Sequence, residues 1–359
     1  MAKRRTKVVS VALIGVCVIA STFKLLSLRS PSKDGPPQLR RSLTWADHRN
    51  RLTINPVVKE NIKPVSTEPD PSQETVMYWH IPKSGGTTLK SIYKCMKQTL
   101  TVRVGVDPRF GHDKDEELVV FEPGQMGVSF VNVDTLSRPG ILRSQKLGLV
   151  PSGLADIMIV TNNLNFAIEH LYDEDHKGRV IALFRHPVER LISKFYYSQV
   201  ATWERSYRPE WADIDLQYWA DNINNDHNSI VKTLAGIDKE AEVTETDFSV
   251  AVRTVEQRFI VGLMNQMEES IHRFNIFMGI DESEKSIQVC MDEYFGHGVK
   301  KSNSNSHREV DEKDPAWQKL AKDNDYDVRL YAEIVQLFDE QREIIQSYAI
   351  SSAASNGLV

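Results

Sequence analysis

Two short apolar runs constrain this chain most, because each passes through a loop straight into a helix-period pattern. The first, "VMYWHI" at residues 76–81, is β-branched, aromatic or otherwise strand-compatible and reads as a short buried strand. The second, "VIALF" at residues 180–184, is continuously apolar. That is the signature of a central strand in a parallel sheet, buried on both faces. After the first run, Pro82 ends the strand and Gly85-Gly86 permit a tight turn. Leu89, Ile92, Tyr93 and Met96 then recur at i, i+3, i+4 and i+7, one apolar face of a helix. After the second run, Arg185 stands at the strand's carboxyl end and Pro187 suits a first helical turn. Val188, Leu191, Ile192, Phe195 and Tyr196 follow with helical spacing, and Ser193 falls about two turns in.

The rest of the chain continues the alternation. "GVSFVNVDT" (127–135) and "LADIMIV" (154–160) read as strands, and the segment between them fits a short helix with a glycine-containing ending. Residues 246–274 read as helix, a strand at 259–263, and helix; residues 326–348 read as one long amphipathic helix. Strands alternating with helices predict an α/β domain built on a doubly wound parallel sheet. Ligands of such sheets lie beyond the carboxyl ends of the strands, where Lys83 and Arg185 both fall.

The loop "HIPKSGGTTL" (80–89) has the composition of an anion site. A glycine-containing turn opening onto a helix N-terminus presents unpaired N–H groups and the positive end of the helix dipole. Lys83 adds a mobile charge, Gly85 and Gly86 let backbone approach a ligand, and Ser84, Thr87 and Thr88 add hydroxyls. A plain strand–turn–helix with capping threonines has the same composition. The loop is not the ATPase pattern G-x-x-x-x-G-K-[ST], since its lysine precedes the glycines.

"HIPKSGGTTL" resembles the 5′-phosphosulfate loop of sulfotransferases that use PAPS, the activated sulfate donor. Its H-I-P-K-[ST]-G-G-T form is similar to that of membrane-bound carbohydrate sulfotransferases. "RVIALFRHPVERLISKFYYSQV" (179–200) resembles the same family's 3′-phosphate motif, an arginine at a strand end and a serine eight residues on. His186 stands where the family often has aspartate. The resemblance covers roughly residues 75–348 and is closest to the uronosyl 2-O-sulfotransferase-like group; its specific part is these two motifs. It implies a P-loop-like sulfotransferase fold, with PAPS as co-substrate and no metal. Lys83, Ser84, Gly85, Gly86, Thr87 and Thr88 would hold the 5′ end of the donor, and Arg185 and Ser193 its 3′-phosphate. "VKKSNSNSHREV" resembles the basic loop that closes over the donor, so Lys301 and Ser302 are donor contacts on this reading. Lys83 is the implied catalytic group, stabilising the leaving phosphate oxygen and the sulfuryl oxygens.

The resemblance also implies a base. In the 2-O-sulfotransferase-like group a histidine follows the strand before the arginine strand, but Asn163 occupies that place here and cannot accept a proton at neutral pH. Other sulfotransferases use glutamate. His80, Glu122, Glu169 and His170 are the candidates, with His80 closest in sequence to Lys83. The Asn163 departure keeps open a catalytically silent relative that binds donor or glycan without transfer. A nucleotide-dependent kinase is a third reading, disfavoured by the lysine-first loop.

Four cations precede an uncharged run at residues 8–23, 16 residues long and extensible to about residue 28 if Lys24 snorkels. A signal-anchor helix with its basic end cytoplasmic and a cleaved signal peptide with Ala20 near the cut both fit, the anchor better. With the resemblance, this implies a single-pass type II Golgi membrane protein with a lumenal catalytic domain. The expected organisation is tail and anchor over 1–29, a Pro-rich stem over 30–73, the domain over 74–350 and a disordered tail over 351–359. Prolines at 31, 36, 37, 56, 64, 69 and 71 suggest the stem. Residues 1–41 hold nine Lys/Arg and one acidic residue, leaving the remainder at about −13 of a total of −5. A domain so negative disfavours nucleic acid and repels polyanions. It points to a weakly charged glycan or polysaccharide acceptor, or to a local basic groove drawn from Arg205, Arg208, Lys300, Lys301 and Arg308. Of three cysteines, Cys95 and Cys290 could pair in an oxidising lumen, but Cys95 falls inside the first motif helix and the expectation is that they do not. Oligomeric state is left open.

Overall fold

The computed structural model describes residues 53–124, 127–296 and 309–355. Seven strands form one sheet: β1 (Val76–Trp79), β2 (Leu100–Thr101), β3 (Val120–Phe121), β4 (Phe130–Val131), β5 (Ile157–Val160), β6 (Arg179–Phe184) and β7 (Phe259–Leu263). Their order is β3-β4-β2-β5-β1-β6-β7, and every pairing is parallel except β3 with β4. In β1, Tyr78 lies opposite Ile159 of β5 and Ile181 of β6.

The unalternating apolar runs are explained by two cores, one on each face. Met77, Trp79, Met158, Val160, Val180, Ala182 and Phe184 enter one core; Val76, Tyr78, Ile157, Ile159, Ile181 and Leu183 enter the other. The helices include, in chain order, α1 (Pro56–Asn61), α2 (Gly86–Cys95), α3 (Arg138–Lys146), α4 (Leu164–Leu171), α5 (Pro187–Val200), α6 (Ser229–Ala235), α7 (Glu245–Arg258), α8 (Met267–Met278), α9 (Lys285–Phe295) and α10 (Asp325–Ser355). The first core takes side chains from α1, α3, α4, α6 and α7; the second from α2, α8 and α9. This two-sided cover is compatible with a doubly wound sheet. Helix α10 reaches both cores and closes the β7 edge. The Gln341 side chain accepts from Val261 N–H (3.0 Å) and donates to the Phe259 carbonyl (2.7 Å), taking the place of a further strand.

Four expectations change. The packed chain begins before Glu74: Ile54, Asn55, Val58, Ile62 and Val65 are buried. Asn55 accepts from Val57 N–H to cap α1 and donates to the Asn165 side chain and the Leu234 carbonyl. Arg179 then clamps the segment. Its guanidinium donates twice to Glu74 (2.7 and 3.1 Å) and to the carbonyls of Pro64, Thr67 and Glu68. Residues 54–73 are therefore part of the domain rather than an extended stem. Second, the strand expected over 127–135 pairs only at Phe130–Val131. Asn132 and Asp134 bond their side chains to nearby backbone and end it. Third, Cys95 and Cys290 are disulfide-bonded, Cα atoms 5.7 Å apart. A position inside a helix is no obstacle, because Cys290 sits on α9, which packs against α2. Fourth, the C-terminal helix runs past residue 351 to Ser355.

Among the described residues no helix is long and apolar enough to cross a membrane. The expected anchor at 8–23, the stem before residue 53, and Lys300, Lys301, Ser302 and Arg308 lie outside the described residues.

Candidate functional site

Strands β1 and β6 are neighbours, so the loops leaving their carboxyl ends emerge side by side. The connection leaving β1 leads to β2 on one side and the connection leaving β6 leads to β7 on the other, which makes this the place where an open α/β sheet leaves a crevice. A cleft of about 2590 Å³ opens there.

The loop after β1 is bent by two left-handed residues, Lys83 (φ 67°) and Gly85 (φ 86°). For a lysine that conformation costs roughly 1–2 kcal/mol, so the surrounding contacts must hold it. One of these is Arg185, whose Nη1 donates to the Lys83 carbonyl (3.3 Å). Gly86 has a different reason: a Cβ there would overlap the His80 ring and crowd the Tyr78 hydroxyl. The first helical bond of α2 runs from Leu89 N–H to the Gly85 carbonyl (3.1 Å). The N–H groups of Gly86, Thr87 and Thr88 therefore have no partner within the helix and face its N-terminal end.

Lys83, Gly85, Gly86, Thr87 and Thr88 line the cleft. Ser84 does not: between the two left-handed residues its side chain turns inward, fully buried, with its hydroxyl making no hydrogen bond. The expected donor contact from the Ser84 hydroxyl is therefore corrected. Lys83 Nζ lies 3.2 Å from the centroid of the Tyr197 ring. Burial, reinforced by the Arg185 charge and opposed by Glu204, lowers its pKa to about 8. His80 lines the cleft too, but burial, with Lys90 and Lys83 nearby, lowers it to about 3. An imidazole that holds a proton so weakly makes a poor base, and its visible role is packing on Gly86.

Arg185 and Ser193 line the same cleft from β6 and α5. Arg185 Nε donates to Glu189 (3.1 Å), a pair one turn apart on the chain. Glu189, Ser193 and Tyr197 recur every four residues, so α5 turns one polar stripe to the cleft while Val188, Leu191, Ile192 and Phe195 are buried. Deeper on this wall, Arg190 and Lys194 both donate to Asp226 (3.1 and 3.3 Å). Burial alone would raise that carboxyl, but the two cations pull it well below the usual range.

Asn163 lines the cleft at the start of α4 and donates its side-chain N–H to the Leu136 carbonyl (3.0 Å). The other suggested bases lie elsewhere. Glu122 follows edge strand β3, Glu169 points out from α4, and His170 stacks on Phe166 with Nδ1 against that residue's carbonyl. None of the three lines the cleft. Of the basic groove residues that are described, Arg205 lines the cleft, while Arg208 turns its guanidinium onto the carbonyls of Arg205 and Tyr207. The lining residues missed from sequence include Tyr197, Trp203 and Glu204. Tyr197 was findable, because it stands four residues after Ser193 on the same helix face. Trp203 and Glu204 lie in the turn after α5, where periodicity carries no signal.

Among the described residues, no group of three or more His, Cys, Asp or Glu is arranged to hold a metal ion. Comparison with protein-family models and with curated proteins gives no match for this chain.

Proposed function

We propose that this chain is a PAPS-dependent sulfotransferase with the P-loop-like sulfotransferase fold, moving a sulfuryl group to a hydroxyl of a carbohydrate acceptor. One observation carries the reading: two anion-suited elements, the 83–88 loop and the Arg185–Ser193 pair, open into one cleft from adjacent strands. A bisphosphorylated nucleotide has an anionic group for each. The residues fit such a donor: the α2 amides lack helical partners, and Arg185 is held by one partly exposed carboxylate.

On this reading the α2 N-terminus, Thr87 and Thr88 hold the 5′ end of the donor, and Arg185 with Ser193 hold the 3′-phosphate through charge-assisted bonds. Lys83 stabilises charge that develops on the leaving phosphate oxygen. The attacking hydroxyl enters in line from the opposite side of the sulfur, so positioning and electrostatics supply most of the rate. The Cys95–Cys290 disulfide suits an oxidising lumen, in keeping with a type II Golgi protein.

A second reading, a silent relative that binds donor or glycan, is favoured by Asn163, whose side chain is committed to a carbonyl. The test is incubation with PAPS carrying labelled sulfate and a panel of glycans. Transfer that disappears in Lys83→Ala supports the enzyme. Donor binding with no transfer favours the silent relative, and Mg²⁺-dependent ATP hydrolysis would support a kinase instead.

A further inference from the structure

The geometry points to Glu204 as the group that takes the proton from the acceptor hydroxyl. This inference rests on the sulfuryl-transfer reading above and names the base that Asn163 cannot be. The reacting sulfur must lie beside Lys83 on that reading, so the base must lie near Lys83 on the solvent side. Tyr197 builds that link. Its ring carries the Lys83 ammonium at 3.2 Å, and its hydroxyl donates to Glu204 Oε1 at 3.2 Å. One phenol therefore joins the cation to the carboxylate.

The turn that presents Glu204 is fixed by backbone bonds, Glu204 N–H to the Ala201 carbonyl (2.9 Å) and Tyr207 N–H to the Glu204 carbonyl (3.1 Å). The charged and titratable groups that face the carboxylate are Tyr197 on α5, Lys83 on the loop and Lys90 on α2. Burial raises the Tyr197 phenol, which keeps it the donor of the shared bond. Beside Glu204, Trp203 stands 75 % exposed on the cleft wall, an apolar face against which a sugar ring can rest.

Four other acids of the cleft are committed elsewhere. Glu189 pairs with Arg185, Glu269 with Arg273, Glu282 with His272, and Asp226 with Arg190 and Lys194. Glu204 makes no ion pair among the described residues. Asp238, Glu240, Glu268 and Glu293 also line the cleft without an ion pair among the described residues, so it is the bond to Tyr197 that sets Glu204 apart. In the step, the acceptor oxygen forms a new bond to sulfur and the bond from sulfur to the 5′-phosphate oxygen breaks. The electron pair leaves on adenosine 3′,5′-bisphosphate, and the hydroxyl proton passes to Glu204.

The test compares wild type, Glu204→Gln and Glu204→Ala with labelled PAPS and a panel of unsulfated polysaccharides and neutral oligosaccharides, scoring label on glycan and label released to water. Glu204→Gln is expected to lower kcat by about a hundredfold or more and to remove the acid limb of the kcat–pH profile. Its affinity for adenosine 3′,5′-bisphosphate should stay within about twofold by calorimetry, and formate should restore part of the activity of Glu204→Ala. Turnover of Glu204→Gln within about threefold of wild type, or an intact acid limb, overturns the assignment. A wild-type chain that transfers label neither to glycan nor to water overturns it as well. Calorimetry with the bisphosphate then decides separately whether the donor reading stands.

Discussion

Replacing Arg185 with alanine is the most direct probe of the donor pose. A charge-assisted hydrogen bond to phosphate is worth roughly 1.5–3 kcal/mol. Not all of that appears as affinity, because in the free protein Arg185 already donates to Glu189 at 3.1 Å. That carboxylate is half exposed, and a pair one helical turn apart is worth about 0.3–0.5 kcal/mol. The net loss is then about 1–2.5 kcal/mol, a five- to seventyfold rise in Kd. The bond from Arg185 to the Lys83 carbonyl would also go, which would loosen the neighbouring cradle, so affinity alone does not isolate the phosphate contact. A cycle with two ligands does. Calorimetry on wild type and Arg185→Ala with adenosine 3′,5′-bisphosphate and with adenosine 5′-monophosphate should show the loss mainly for the bisphosphate. Equal losses for both would mean that Arg185 braces the loop and touches no 3′-phosphate, and the donor orientation would be wrong.

Three further outcomes are expected. Lys83 must be protonated to hold an anion and its pKa is lowered to about 8, so affinity for the bisphosphate should fall as pH rises through 8 and binding near that pH should take up protons; Lys83→Arg should abolish both effects in calorimetry across buffers. Glu74→Gln strands the Arg179 guanidinium in the interior and should cost about 3–5 kcal/mol in urea unfolding. Burial raises the Glu74 carboxyl, but its bonds to Arg179 and Lys63 lower it overall, so this stability is present above the unfolded value of 4.5 and is lost as pH falls through the lower folded value; the difference between wild type and variant should shrink below that pH. Cys290→Ser opens a link across 195 residues and should cost roughly 2–5 kcal/mol, with dithiothreitol lowering the denaturation temperature of wild type and leaving the variant unchanged.

What the sequence made legible follows from what periodicity measures. An apolar pattern reports burial, so β1, β6, β7 and the buried faces of α2 and α5 could be read directly, down to Leu89, Ile92, Tyr93 and Leu191. It says nothing about polar residues that fold through long-range pairing. The 54–73 segment is held by the Asn55 hydrogen bonds and the Arg179–Glu74 clamp, contacts between positions 105 to 199 residues apart, and its prolines suggested an extended stem. The disulfide was missed for the same reason, since its partners meet only once α9 lies on α2.

The site divides along the same line. The Lys83 loop and Arg185 were findable because each sits where a strand ends, a point that the apolar runs mark. The cleft-facing stripe of α5 is the complement of its apolar stripe: once Val188, Leu191, Ile192 and Phe195 are assigned inward, Glu189, Ser193 and Tyr197 must lie together on another face. That step needs only the helical period, and it leads from Ser193 to the tyrosine beneath the Lys83 ammonium. Ser84 shows the limit of composition: a hydroxyl inside an anion loop turned inward because its neighbours adopt left-handed backbone, and only the φ angles of Lys83 and Gly85 carry that information. Glu204 is invisible at both levels, lying in a turn without period and gaining its place through the hydroxyl of Tyr197. An exposed carboxylate without an ion pair leaves no mark on the burial pattern, so sequence periodicity has no way to point to it.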